Sequence, residues 1–79
     1  YFVYSIEQVE GSENMAKISL DASKRYAVVL GNEVKGVEQA VVNASDSCLE
    51  IPQLGTKHSL NVSVTAGIVV WEFAKQLVL

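Results

Sequence analysis

The sequence is poor in the residues that most often mark a disulfide or a metal site. Its 79 residues include a single cysteine, Cys48, and a single histidine, His58. One cysteine excludes an internal disulfide, and the two residues together are too few to complete a tetrahedral zinc site. We therefore expect no metal, and a loop role for His58. A lone cysteine also fits a reducing compartment, so we expect a cytoplasmic protein.

Basic residues are scarce as well. Lys and Arg number six against nine Asp and Glu, which gives a net charge of −3. This balance argues against a domain that holds nucleic acid by charge alone, because such domains carry a basic excess. RNA remains compatible as a substrate if another segment provides the grip. The apolar run at residues 60–71 is too short and too polar for a membrane span, which needs about 20 apolar residues.

The common nucleotide-binding fingerprints are missing too. Residues 31–36, GNEVKG, have the outer glycines of a phosphate loop, but Val37 stands where that loop carries lysine. No Gly-x-Gly-x-x-Gly occurs anywhere in the chain. On the residues alone, residues 31–36 are equally a plain strand-to-helix turn whose glycines permit positive φ. Glu33 is then either a solvated charge or a ligand for a hydroxyl or an amine.

What the chain does have is an alternation of strand and helix patterns. Three short runs rich in β-branched or aromatic residues predict strands at residues 1–9, 26–30 and 48–51. Helices are predicted at residues 13–20, 37–44 and about 60–78. The order β-α-β-α-β-α predicts an α/β fold, an open parallel sheet with crossover helices. Three strands are few, and no Met precedes Tyr1, so we expect a fragment whose other strands lie upstream.

Helix caps and the last helix carry further predictions. Ser12 is the predicted cap of the first helix, and Ser59 or Asn61 that of the last. The last helix is apolar nearly all round, which predicts burial on several sides, or burial by the domain on one side and by a partner on the other. Trp71 and Phe73 are accordingly expected in the core or at an interface.

Two loops that follow predicted strands, residues 31–36 and 53–59, are the candidate ligand site. In open α/β folds ligands bind at the carboxyl ends of strands, where loops expose backbone amides and helices begin. The two loops can wall one pocket if their strands are neighbours. Ser59 and Asn61 would then serve either the site or the cap of the last helix.

Two stretches resemble motifs of a known family. The sequences LGNEVKG at residues 30–36 and IPQLGTKHSLNVSVTAG at residues 51–67 are similar to the second and third motifs of the SpoU-type RNA 2′-O-ribose methyltransferases, in the SPOUT superfamily. The order and spacing match, and the resemblance covers about residues 27–73. It implies a domain that ends in a deep trefoil knot, binds S-adenosylmethionine in that knot, works as a homodimer and methylates tRNA or rRNA.

The resemblance also assigns residues. It implies cofactor contacts at eight positions: Leu30, Gly31, Asn32, Gly36, Ile51, Pro52, Ser59 and Leu60. It implies that Glu33, Ser59 and Asn61 form or support the reaction centre, and that the last helix packs across the dimer.

The first motif of that family, which supplies an asparagine and an arginine, is not visible in this sequence. We therefore expect residues 1–79 to be the C-terminal part of one methyltransferase domain, inactive without the upstream part. The alternative is a non-catalytic module of the same fold that binds or dimerises without turnover.

Overall fold

The computed structural model of the chain describes residues 1–31, 36–52 and 62–79. Within these ranges the strands are β1 (Phe2–Ile6), β2 (Glu13–Asn14), β3 (Tyr26–Val29) and β4 (Ser47–Glu50). The helices are α1 (Gln39–Ala44) and α2 (Val62–Leu77), and a short 3-10 helix spans Met15–Lys17. No helix in these ranges is long and apolar enough to cross a membrane.

The strands form one parallel sheet in the order β2-β4-β1-β3. The predicted open parallel α/β sheet is therefore confirmed for the described part of the chain. β1 is the central strand, because it pairs with β3 on one side and with β4 on the other. Helix α1 provides the connection from β3 to β4, as the alternating pattern predicts.

A buried hydroxyl pair joins β1 to the end of α1. Ser5 is fully buried, and its Oγ lies 2.5 Å from the Oγ of Ser45. Ser45 donates its own proton to the carbonyl oxygen of Val41 at 2.8 Å, so Ser5 is the donor within the pair. These two bonds satisfy polar groups that burial would otherwise leave unpaired, and they fix α1 against the sheet.

The apolar core lies between one face of the sheet and α2. Its buried residues are Tyr4, Met15, Leu49 and Val69, and Leu49 is completely inaccessible. The ring of Phe73 meets the rings of Tyr4 and Tyr26 edge-on, with centroids 6.1 and 5.9 Å away. Full burial of one such side chain contributes about 1.5–3 kcal/mol, so this cluster holds α2 on the sheet.

The two faces of α2 differ in burial although both are apolar. Val69 is 3% exposed and packs in the core, with Ile68 and Phe73 beside it. On the opposite face Val70 is 65% exposed and Trp71 59% exposed. The helix is thus covered by the domain on one side only, in the chain as described.

The helix predicted at residues 13–20 is wrong. Glu13 and Asn14 form the edge strand β2, which pairs with β4. Asn14 then caps the 3-10 helix by accepting from the Ala16 N–H at 2.8 Å. Ser12 is not a helix cap, because its hydroxyl donates to a carboxylate oxygen of Glu50 at 3.2 Å. The sheet therefore has four strands in the described residues, where three were predicted.

Helix α1 begins two residues later than predicted. Gly36 has a φ of +69°, which is not helical, and it ends the preceding loop. The N–H of Val37 donates to a carboxylate oxygen of Glu7 at 2.8 Å, so Val37 is held toward the sheet. Val37 is buried at that point, which accounts for its place in the apolar pattern.

Candidate cofactor site

The ends of three neighbouring strands define the candidate site. Leu30 and Gly31 follow β3, Ile51 and Pro52 follow β4, and Glu7 follows β1. The strands are parallel, so their carboxyl ends lie at one edge of the sheet. The predicted condition that β3 and β4 be neighbours is not met, because β1 lies between them. Two strand spacings separate β3 from β4, about 10 Å.

The first loop is closed at its base by two glycines. A Cβ added to Gly31 would overlap the carbonyl group of Gly36 and the nitrogen of Val37. Gly36 is in the left-handed region, where a side chain is strained, and a Cβ there would overlap the Glu7 carboxylate. Gly31 is therefore required by its contact with backbone atoms and Gly36 by its positive φ, so the two ends of the loop meet at these glycines.

At the end of β4, a half-buried apolar residue is followed by a proline. Ile51 is half-buried and packs against the core cluster, so its main chain is held in place at the sheet edge. Pro52 is exposed and has no N–H to continue the strand. Leu30, at the end of β3, is 36% exposed. The site edge therefore offers apolar side chains beside the main chain at the strand ends.

The predicted site residues divide between described and undescribed parts of the chain. The five that the structure describes all lie at this edge: Leu30, Gly31, Gly36, Ile51 and Pro52. The other five lie outside the described residues: Asn32, Glu33, Ser59, Leu60 and Asn61. His58, for which a loop role was predicted, also lies outside them. Their roles therefore stay predictions.

Glu7 is a residue of this edge that sequence analysis missed. Its backbone N–H donates to the carbonyl oxygen of Leu49 at 3.0 Å, and its carboxylate accepts from Val37 at 2.8 Å. One residue thus bonds to both β4 and the end of the first loop. The sequence feature that could have identified Glu7 is its position directly after the apolar run that forms β1.

The described edge has little that could act as a nucleophile, and its groups are suited to binding. Within residues 1–31, 36–52 and 62–79, no three His, Cys, Asp or Glu side chains cluster as a metal site would require. Apolar side chains beside main-chain donors and acceptors suit a flat, partly apolar ligand with hydrogen-bonding edges. An adenine ring is a group of that kind.

Comparison with known proteins agrees with a parallel α/β fold. The sequence model of the SpoU rRNA Methylase family matches residues 1–71. The chain is 34% identical over 79 residues to the tRNA (guanosine(18)-2′-O)-methyltransferase TARBP1 of Mus musculus, covering all of this chain and 5% of that protein.

Two crystal structures share the fold. The TrmH/SpoU tRNA modifying enzyme of A. aeolicus superposes with a TM-score of 0.79 at 34% identity, over 94% of this chain and 36% of that chain. An AdoMet-bound rRNA methyltransferase from Sinorhizobium meliloti superposes with a TM-score of 0.82 at 28% identity, over 99% of this chain and 29% of that one.

These matches define the class as a parallel α/β domain of the RNA methyltransferase type. The chain belongs to the SpoU rRNA Methylase family, since the family model covers most of its length. It spans only part of the proteins it matches: 5% of the mouse protein, 28% of an uncharacterized tRNA/rRNA methyltransferase of Borreliella burgdorferi and 36% of the A. aeolicus chain.

Proposed function

We propose that this chain is the cofactor-binding part of an S-adenosylmethionine-dependent enzyme that methylates a ribose 2′-hydroxyl of tRNA or rRNA. The observation that carries the proposal is the closed loop base at Gly31 and Gly36, set at the same sheet edge as Ile51. Family membership and the cofactor named for the rRNA methyltransferase neighbour support the same ligand.

The described residues fit the adenosyl part of that cofactor. The backbones of Leu30 and Gly31 would hold one edge of the adenine, and Ile51 and Pro52 would hold the other. Gly31 has no side chain, and the backbone of Gly36 and Val37 fills the space that a Cβ would need, so this glycine lets the two ends of the first loop meet beside the proposed site. Leu60, Ser59, Asn32 and Gly36 would complete the site as the family motifs imply.

The cofactor would supply a methyl group on positively charged sulfur, which is a good electrophile. The protein then mainly aligns the ribose hydroxyl with it and assists removal of the hydroxyl proton. Ser59 and Asn61 would orient the reacting groups by hydrogen bonds, and Glu33 would bind a hydroxyl or support the loop. Ser59 and Asn61 are poor bases at neutral pH, so proton removal would depend on a group supplied upstream.

Most contacts with the RNA would be made by protein segments other than these 79 residues. The net charge of −3 leaves no general electrostatic attraction for phosphates. We propose that a knot formed by the C-terminal part encloses the cofactor, and that a second copy packs on the outer face of α2. The exposed Trp71 and Val70 support this dimer, because large apolar side chains in contact with water favour a partner. We also propose a cytoplasmic location.

The experiment that tests this function uses the protein in its full natural length. Labelled methyl transfer from S-adenosylmethionine to unmodified tRNA and rRNA transcripts would be measured, and the product digested to identify 2′-O-methylated nucleosides. We expect transfer to one of the two RNA classes, and a strong loss in Glu33→Gln and in Asn61→Ala. Ser19→Ala, an exposed polar position away from the site edge, is the matched control.

The possible outcomes separate the two function classes. Cofactor binding without transfer to any RNA would identify a non-catalytic module of this fold. Methylation of a base and not of the ribose would overturn the reaction assignment. Transfer by residues 1–79 alone would contradict the expectation that this chain is inactive without the upstream part.

A further inference from the structure

Glu7 occupies the middle of the site edge. It follows β1, and β1 lies between β3 and β4, the strands that lead into the two candidate loops. Its main chain is bonded to β4, through the 3.0 Å hydrogen bond from its N–H to the Leu49 carbonyl. The backbone position of Glu7 is therefore fixed independently of its side chain.

The side chain of Glu7 bonds across to the base of the first loop. One carboxylate oxygen accepts from the Val37 N–H at 2.8 Å, a distance typical of a charge-assisted hydrogen bond. The same oxygen lies where a Cβ of Gly36 would be, so the carboxylate is packed directly against that glycine. The peptide joining Gly36 to Val37 is thus held between Glu7 and Gly31.

We propose that Glu7 is a positioning residue of the cofactor site: its carboxylate holds the Gly36–Val37 peptide against Gly31 and so keeps the ends of β3 and β4 in one relative position. The proposal rests on the proposed function, since it concerns cofactor affinity at this edge. It requires Glu7 to act as a hydrogen-bond acceptor, and it requires no contact between Glu7 and the cofactor or the RNA.

This role differs in its consequences from two alternatives. If Glu7 merely stabilised the fold, its loss would lower the melting temperature and leave affinity unchanged in the protein that remains folded. If its negative charge acted on the cofactor, Glu7→Gln would weaken binding as much as Glu7→Ala. A positioning acceptor predicts that Gln, which keeps a side-chain oxygen, restores binding.

The test is calorimetric titration of the full-length protein with S-adenosylhomocysteine. The variants are Glu7→Ala, Glu7→Gln and Glu7→Asp, and the control is Glu10→Ala, an exposed glutamate three residues further along. We expect Glu7→Ala to weaken binding about tenfold to a hundredfold, the usual effect of losing a hydrogen bond to a charged group. Glu7→Gln should stay within about threefold of wild type, because a neutral acceptor retains part of the bond.

Glu7→Asp is included because Glu7→Ala could fail to fold. Its carboxylate is one methylene shorter and does not reach Val37 without a backbone shift, so we expect a loss close to that of Ala with the charge retained. Unchanged affinity in Glu7→Asp and Glu7→Ala would overturn the positioning role while leaving the proposed function intact. A wild-type protein that does not bind S-adenosylhomocysteine would overturn both.

Discussion

The backbone of Gly36 fills the space that a side chain on Gly31 would need. A Cβ on Gly31 would overlap both the carbonyl carbon and the carbonyl oxygen of Gly36. The two glycines flank residues 32–35, so the chain returns to the point at which it left β3. This contact makes the base of the first loop sensitive to one added methyl group.

Gly31→Ala should therefore impair both folding stability and cofactor binding. Overpacking costs about 1–3 kcal/mol, and here the opposing atoms are backbone, which cannot rotate away. Urea denaturation would measure the stability, and titration with S-adenosylhomocysteine the affinity. The matched control is Gly11→Ala, where φ is +84° and nothing lies within 4 Å of the added Cβ. Gly11→Ala should cost about 1–2 kcal/mol and leave affinity unchanged. Equal affinities in the two variants would contradict the loop-base assignment.

Gln76 holds the segment after the 3-10 helix on α2. Its Oε1 accepts from the Leu20 N–H at 2.7 Å, and its Nε2 donates to the Ile18 carbonyl at 3.2 Å. Gln76→Ala would leave both backbone groups without this partner, which costs about 1–3 kcal/mol. Thermal or urea unfolding measures the loss.

The control for Gln76 is Gln39→Ala. The side-chain amide of Gln39 also donates a hydrogen bond, to the Oδ1 of Asn43 at 2.9 Å, but this bond lies on the exposed surface of α1. Such a pair contributes about 0.2–0.5 kcal/mol, so Gln39→Ala should be nearly silent. If the two variants were equally stable, the bonds from Gln76 to residues 18 and 20 would not matter to the fold.

The stability of α2 should fall in acid because of Glu72. Hydrogen bonds from Gln76 and then from Lys75 lower the pKa of Glu72 below its ordinary value of 4.5. A carboxyl whose folded-state pKa is depressed stabilises the fold above its unfolded pKa, and that stabilisation is lost as pH falls through the folded value. Melting temperature should thus decline below about pH 4.5 with a contribution from Glu72.

An NMR titration of the Glu72 carboxyl separates this group from other acids. In Gln76→Ala the pKa of Glu72 should rise toward its ordinary value, and in Lys75→Ala it should rise by less, because the bond from Gln76 is the larger cause. An unchanged pKa in Gln76→Ala would show that the 2.6 Å bond between Gln76 and Glu72 is not formed in solution.

Three of the four described strands were predictable because their signal is local. The run YAVVL at residues 26–30, which contains β3, is apolar and lies between Arg25 and Gly31. In β1 every second residue, Phe2, Tyr4 and Ile6, faces the core. The error at residues 13–20 has the opposite origin. Glu13 pairs with Leu49, and the Leu20 N–H is held by Gln76. Both partners lie more than 30 residues away, where local helix propensity gives no information.

In the candidate site, too, the residues marked by local sequence signals were predictable and those placed by distant partners were not. Family motifs and strand-end glycines mark Gly31, Gly36 and Ile51 in the sequence, and the structure places all three at one edge of the sheet. Their contact with a cofactor stays a prediction. Glu7 was not found, since nothing local indicates that its carboxylate meets an N–H 30 positions later in the chain. Its role depends on β1 lying between β3 and β4, and strand order is a property of the whole sheet.

The outer face of α2, formed by Val64, Val70 and Trp71, is the expected contact between two copies of the chain. Val64, Val70 and Trp71 are each more than half exposed, and Phe73 on the inner side packs on Tyr4 and Tyr26. If a second copy covers the outer face, Trp71 is the residue most suited to anchor it, since buried interface Trp residues often contribute 2 kcal/mol or more, as an order of magnitude.

Trp71→Glu should then raise the dimer dissociation constant by about thirtyfold or more, because 1.4 kcal/mol corresponds to about tenfold. Sedimentation equilibrium of the full-length protein measures this, and Lys24→Ala, an exposed lysine that is not on α2, should leave the constant unchanged. A wild-type protein that is monomeric, or a Trp71→Glu variant that dimerises as tightly as wild type, would rule out this face as the dimer contact. A Trp71→Glu variant that is monomeric with a native melting profile would place Trp71 in the interface and not in the core.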